Sequence, residues 1–224
     1  MEMERTFSSH FYAYANADIL FDDGLIKTLE KLIPFLQNTS QVLITGRRTN
    51  VPVDTSVTSL LDILKLKRGH APFTDNAQDY FISIKNGYDW PSLPNVVVGR
   101  VGIDNWLVVN AIVTQKITID VTETVTAVHQ TGRGGNSEGW QVPEDELYYN
   151  YVQVGRDFDY SLGSTTCTEY KTTMNSNNEI GIKHRKTSET PCKDAFKRKG
   201  MVYNNMELLN LEEQITKYNI SKMK

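Results

Sequence analysis

Apolar positions fall into short blocks whose spacing switches between strand and helix periods. His10 to Asn16 (His-Phe-Tyr-Ala-Tyr-Ala-Asn) predicts a buried strand that ends in the polar step Asn16-Ala17-Asp18. Asp22 and Asp23 mark a helix start, because a carboxylate there accepts free backbone N–H groups. Leu25, Leu29, Leu32 and Leu36 then share one helical face, and Pro34 is expected to kink or end the helix early. Gln41 to Thr45 predicts a second strand, which runs into the polar turn Gly46-Arg47-Arg48-Thr49-Asn50. Val57 to Leu66 has helical spacing, and Asp79 to Ile84 is strand-like. A Trp/Pro-rich loop, Asp89 to Pro94, follows, and Val96 to Val98 leads into Gly99-Arg100-Val101-Gly102.

Asp104 to Gln115 predicts a helix capped by Asp104 and apolar nearly all round, hence deeply buried. Ile117 to Asp120 and Thr124 to Val128 are two β-rich runs joined by a short turn, the second ending at His129. Thr131 to Gly139 carries four glycines and reads as a mobile loop. Beyond Gly155 the pattern weakens. Asn175 to Lys199 is polar, with the basic clusters Lys183-His184-Arg185-Lys186 and Lys197-Arg198-Lys199, and reads as a solvated or flexible segment. Met206 to Tyr218 is consistent with a short terminal helix. Alternating strands and helices up to about residue 129 argue for α/β layers.

Composition narrows the field a little. With 224 residues, 39% hydrophobic, the chain suits one domain with a real core. A net charge of −3 asks for neither nucleic acid nor an anionic membrane surface. No apolar run reaches the roughly 18 residues of a membrane-spanning helix, and no secretory signal follows Met1. Cys167 and Cys192 lack metal-type spacing; sequence leaves their pairing open, and free thiols are expected because a core of this size needs no staple.

Four polar clusters interrupt the ends of apolar elements, where open α/β sheets bind ligands. Asp18, after the first strand, suits a hard cation such as Mg²⁺ or Mn²⁺ on a diphosphate, or simply caps a turn. Arg47 and Arg48 suit phosphate or carboxylate, or surface ion pairs. In Gly99 to Trp106, Gly102 lets a ligand approach the backbone, Asp104 at a helix start suits a general base or an N-cap, and Trp106 suits sugar stacking or the core. His129, before a glycine-rich loop, suits a metal ligand or a satisfied structural histidine.

The ordered series Tyr12 to Phe21, Thr45 to Val51, Asp79 to Ile82, Val98 to Leu107 and Ala127 to Gly132 resembles a group of glycosyltransferase-like proteins similar to GT-A glycosyltransferases of the family 2 kind. The resemblance covers about residues 10 to 173 and implies an α/β fold with a partial GT-A-like (Rossmann-like) mixed sheet and flanking helices. It implies a glycosyltransferase domain over 1–173, containing the metal and acceptor half, followed by a polar tail over 174–224. Asn16-Ala17-Asp18 resembles the family's Asp-x-Asp motif with its first Asp replaced by Asn. His129 would complete a site for Mn or Mg, and Asp104 would act as the base. Asp79, Gly102, Asn105 and Trp106 would contact the acceptor; Arg47 and Arg48 are assigned to donor phosphates on charge alone.

The implied reaction is inverting glycosyl transfer from a nucleotide-sugar, taken as a UDP-sugar, to a glycan, lipid or protein acceptor. The metal-like motif starts at residue 16, so a nucleotide-binding half of about a hundred residues is expected to be missing ahead of it. A non-catalytic truncated pseudo-glycosyltransferase that binds a glycan or a protein is the competing expectation, and a nucleotidyltransferase the third. The chain as given is expected to be cytoplasmic, or in the Golgi or endoplasmic-reticulum lumen if an anchor precedes it.

Overall fold

A computed structural model describes residues 2–52, 59–100, 102–131, 143, 149–150, 152–154 and 163–185. The elements are α1 (Glu2–Thr6), β1 (Phe11–Ala15), β2 (Ile19–Phe21), α2 (Gly24–Phe35), β3 (Val42–Thr45), β4 (Thr49–Pro52), α3 (Leu60–Lys67), β5 (Tyr80–Ile84), α4 (Ile103–Val113), β6 (Ile117–Asp120), β7 (Ala127–Thr131), β8 (Tyr170–Met174) and β9 (Ile180–His184). The fold is mixed α/β, with a mixed sheet and flanking helices.

Six strands form the main sheet in the order β1-β5-β3-β6-β8-β9, and three form a smaller sheet, β2-β7-β4. In the main sheet β3, β6 and β8 are parallel, while β5 is antiparallel to both β1 and β3. The C-terminal ends of β1, β3, β6 and β8 therefore lie along one edge, together with the start of β5.

Strand alternation distributes the core over two faces. Leu43 and Phe81 turn toward α4 and pack with its Leu107, Val108, Ala111 and Ile112. Val42, Ile44, Tyr80, Ile82 and Ile119 turn the other way, onto Leu32 and Leu36 at the end of α2, with Leu25 and Leu29 beside them. The predicted leucine face of α2 thus covers the sheet. Helix α3 covers the small sheet through Ile63, against Val51 and Val128.

Several expectations are corrected. Helix α2 ends one residue after Pro34, yet its start is held by Asp22 and not by Asp23, which makes no capping bond. Asp22 Oδ1 accepts from the backbone of Gly24 (3.0 Å) and of Thr126 (3.1 Å), so one carboxylate serves the helix and the loop before β7. Asp104 does not cap α4. The cap is Gly102, at φ 96°, a left-handed backbone that glycine adopts without a Cβ clash. His129 lies in the middle of β7, not at its end, because Gln130 and Thr131 still pair with β4. Cys167, fully buried, is disulfide-bonded and not a free thiol; Cys192 lies outside the described residues. The glycine-rich stretch after Thr131 and the expected terminal helix lie outside them as well.

The domain also does not stop at residue 173. Strands β8 and β9 form a hairpin across that position, from Tyr170↔His184 to Met174↔Ile180, and extend the main sheet. Polar neighbours hide this strand: only Ile180 and Ile182 alternate on an edge that needs a single apolar face. Arg185 pins the hairpin to the sheet. Its Nη2 lies 2.5 Å from Asp120 Oδ2, and its Nε donates to Thr168 Oγ1 (3.3 Å). Both partners are largely buried, with side chains 16% and 10% exposed, so losing one strands the other's charge. Arg185→Ala is expected to cost about 3 kcal/mol in urea unfolding, with amide protection falling first in β8 and β9. An unchanged midpoint would show that the pair does not hold the hairpin.

Candidate functional site

Three segments leave the main sheet at its C-terminal edge and enter the small sheet. They are Asn16 to Asp18 between β1 and β2, Gly46 to Arg48 between β3 and β4, and Val121 to Thr126 between β6 and β7. Each carries or adjoins one of the clusters picked out in the sequence. Backbone bonds tie the crossings together: Val121 N–H donates to Thr45 (2.9 Å), Asp22 N–H to Thr126 (3.2 Å) and Gln130 N–H to Asp18 (3.1 Å). The Arg47 N–H donates to Thr122 Oγ1 (2.9 Å). Gly46 is required here because a Cβ would sit 2.2 Å from the buried Tyr80 hydroxyl.

Pairing of β2 with β7 sets Ile19 opposite His129. Asp18, just before β2, thereby reaches a histidine 111 residues away, with its Oδ2 3.0 Å from His129 Nε2. The histidine side chain is 11% exposed and the carboxylate 48%, so the pair faces outward from a buried base. On the other side of the ring, His129 Nδ1 lies 3.1 Å from Asn50 Oδ1. Asn50 Oδ1 also accepts from Arg48 Nε (2.9 Å), and Arg48 Nη1 makes an ion pair with Asp79 Oδ2. Asp79 Oδ1 accepts from Asn16 Nδ2 (2.8 Å), and Asn16 Oδ1 from the Tyr14 hydroxyl (2.7 Å). One connected network thus runs from Tyr14 to Asp18.

Among the described residues, carboxylates outnumber the guanidinium of Arg48 around this network. Arg48 answers Asp79 and His129 lies against Asp18, while Asp104 adds a further carboxylate within electrostatic range. Burial raises the Tyr14 hydroxyl above its ordinary pKa, and the nearby Asp79 and Asp18 raise it further. Asp104, in the first turn of α4 and partly buried, has its pKa raised to about 6, chiefly by desolvation; Asp79 adds to the rise, while backbone N–H bonds and Arg48 oppose it. A cation would relieve this excess of negative charge.

Any cation held here would be shared with a ligand and not caged by protein. Among the described residues no cluster of three or more His, Cys, Asp or Glu side chains is arranged to hold a metal ion. Asp18 and His129 supply one oxygen and one nitrogen. Mg²⁺-like ions favour oxygen ligands and are commonly bound through one or two carboxylates, with the remaining positions filled by water and phosphate oxygens; Asp18 would be such a ligand, and the His129 nitrogen a softer addition to it. Asn50 Nδ2, buried and without a partner among the described residues, leaves a donor in the same cluster.

The other predicted residues go elsewhere. Arg47 Nη1 donates to the Phe73 carbonyl (3.4 Å), and its charge is felt at Asp120, away from Asp79. Asn105 Nδ2 donates to the carbonyls of Asn76 (3.0 Å) and Gly163 (3.2 Å), tying two loops to the start of α4. Trp106 packs against the α4 core cluster, and Gly102 turns the chain into that helix. Asn50 and Tyr14 were not singled out from the sequence. The available signal was spacing: Tyr14 and Asn16, like Arg48 and Asn50, are two apart at a strand end and share a face.

No protein-family model matches the chain, and neither a curated protein nor a solved structure matches it. Among the described residues no helix is long and apolar enough to cross a membrane.

The raised Asp104 value has a consequence for stability. The folded state holds this proton more tightly than the unfolded chain, whose ordinary value is 3.8. The associated stability is present below about pH 4 and is lost as pH rises through about 6. Asp104→Asn removes the ionisation and keeps an oxygen acceptor for the helix-start N–H groups. It is expected to stabilise the protein at pH 7.5 by on the order of 1–3 kcal/mol and to change little at pH 4, as read by thermal unfolding at both values. An equal effect at both would show that ionisation is not the cause.

Proposed function

We propose that the chain carries the metal and acceptor side of a glycosyltransferase that moves a sugar from a nucleotide-sugar, taken as a UDP-sugar, to a hydroxyl of a glycan, lipid or protein acceptor. The observation that carries this reading is the Asp18–His129 pair at the C-terminal edge of the parallel strands, with the carboxyl of Asp104 within electrostatic range of the same Asp79–Arg48 pair. A divalent ion there, Mn or Mg, would offset the charge of the leaving nucleoside diphosphate.

Asp104 is the candidate base. With a pKa of about 6 it is ionised at neutral pH yet basic enough to take a proton. In the proposed step the acceptor hydroxyl loses its proton to Asp104 and its oxygen bonds to the anomeric carbon. The bond from that carbon to the diphosphate oxygen breaks, and the nucleoside diphosphate leaves with the electron pair. A base on the face opposite the leaving group implies inversion. Arg48 and Asp79 set the local field and hold the wall of the site.

A second reading, a non-catalytic module that binds a glycan or a protein, is favoured by Asn16. It stands where the resembled motif has its first Asp, and both ends of its amide are engaged by Tyr14 and Asp79, so it contributes no charged ligand.

Calorimetric titration with UDP-sugar and Mn²⁺ separates the two. The enzyme reading expects metal-dependent binding that Asp18→Ala abolishes; absence of binding, or binding indifferent to Mn²⁺ and to Asp18→Ala, would remove it. With turnover in hand, Asp104→Asn should lower kcat by at least 10²-fold with donor binding nearly intact. The wild-type rate should fall about tenfold per pH unit below about 6 and level off above it. Equal loss of binding and rate would exclude the base role.

A further inference from the structure

The geometry points to Asn50 as the residue that orients His129, with Arg48 and Asp79 holding Asn50. The inference rests on the metal reading of the Asp18–His129 pair and assigns three residues to its support.

A guanidinium N–H only donates, and Arg48 Nε lies 2.9 Å from Asn50 Oδ1. The opposite orientation of the Asn50 amide would set its NH₂ against that donor, so the oxygen is fixed where it stands. This same oxygen lies 3.1 Å from His129 Nδ1. An amide oxygen only accepts, so Nδ1 must carry a proton and donate it. The other nitrogen, Nε2, donates to Asp18 Oδ2 at 3.0 Å in the metal-free protein, and it is the position at which a cation would replace that proton.

Arg48 is itself held. Its Nη1 pairs with Asp79, and its guanidinium lies over the Phe73 ring, 5.3 Å from the centroid. Asp79 has its second oxygen engaged by Asn16. The Arg48 and Asp79 side chains are only 12% and 9% exposed, so neither swings freely. Arg48 and Asp79, expected from sequence to meet phosphate and acceptor, thus act as positioning residues for a metal-ligating histidine. A hydrogen-bond acceptor behind a ligating imidazole fixes the ring and raises its basicity, and losing such a partner commonly costs 10–100-fold in metal affinity.

The test uses the full chain, with Asn50→Leu to delete the acceptor and Asn50→Asp to retain one. The first readout needs no metal. Proton–nitrogen NMR of His129 should show a slowly exchanging proton on Nδ1 in wild type and in Asn50→Asp, and should lose that protection in Asn50→Leu. The second is Mn²⁺ affinity by electron paramagnetic resonance. Asn50→Leu should weaken it 10–100-fold, and Asn50→Asp should match or exceed wild type.

An unprotonated Nδ1 in wild type, or protection surviving in Asn50→Leu, overturns the inference. So does equal Mn²⁺ loss in both variants. If no form binds Mn²⁺ while the Nδ1 proton behaves as described, the metal reading falls and the orienting role of Asn50 stands. Thermal unfolding of each variant confirms that the comparison is between folded proteins.

Discussion

Backbone hydrogen bonds between the three crossings are the constraint on which the site depends. The chain leaves the main sheet at Asn16, Gly46 and Val121 and must enter the small sheet with its strands already in register. Bonds from Val121 to Thr45, from Asp22 to Thr126 and from Gln130 to Asp18 hold that register. Asp22 adds a side-chain clamp on the backbone of Thr126. Buried backbone groups that leave one sheet need new partners at once, and here the neighbouring crossings supply them. Polar side chains gather at this edge because the crossings lie between two cores: Ile19, Tyr80, Val121 and Ala127 on one side, and Val51, Ile63 and Val128 on the other.

Such a junction concentrates charge as well as backbone. Tyr14, Asp18, Asp79 and Asp104 come from four separate segments, yet each is electrostatically linked to at least one of the others. Desolvation itself raises the Asp104 carboxyl to about 6, and Asp79 adds to the rise. The same desolvation at Asp120, whose carboxyl is also raised by burial, is opposed by Thr122 and Arg185, and that carboxylate is left with a structural task. The two carboxylates thus differ in surroundings: Asp120 has Arg185 in contact, whereas Asp104 feels Arg48 only at a distance.

What the sequence revealed follows from burial. Strands β3 and β5 were legible because they are dense apolar runs packed on both faces. The leucine stripe of α2 and the apolar α4 were legible for the same reason. Strand β6 showed through its alternating isoleucines, and β1, expected to be buried, lies at the sheet edge with only Tyr12 buried. Strand β2 has three residues and β4 opens with Thr49-Asn50, too short and too polar for any period to show. Strand β9 is an edge strand among lysines, and nothing in its composition separates it from a solvated tail. Within the site, Asp18, Asp79, Asp104 and Arg48 could be singled out by type and by position at element ends, and His129 by type alone, since it lies in the middle of β7. Asn50 could not, since its role comes only from the register that sets it beside His129. The disulfide at Cys167 escaped for a related reason: pairing is a matter of geometry, and two cysteines in a chain of this size fix none.

The three-residue pairing of β2 with β7 has a consequence for how the protein acquires its site. Asp18 and His129 belong to segments 111 residues apart, and they meet only when that short ladder closes. Contacts of such span carry a loop-closure cost that local helices do not, and they slow folding. Three rungs are few to hold so long a loop shut. An ion or ligand that grips both side chains would act as a further rung and bind only the closed form, so occupancy of the site and persistence of the small sheet would rise together.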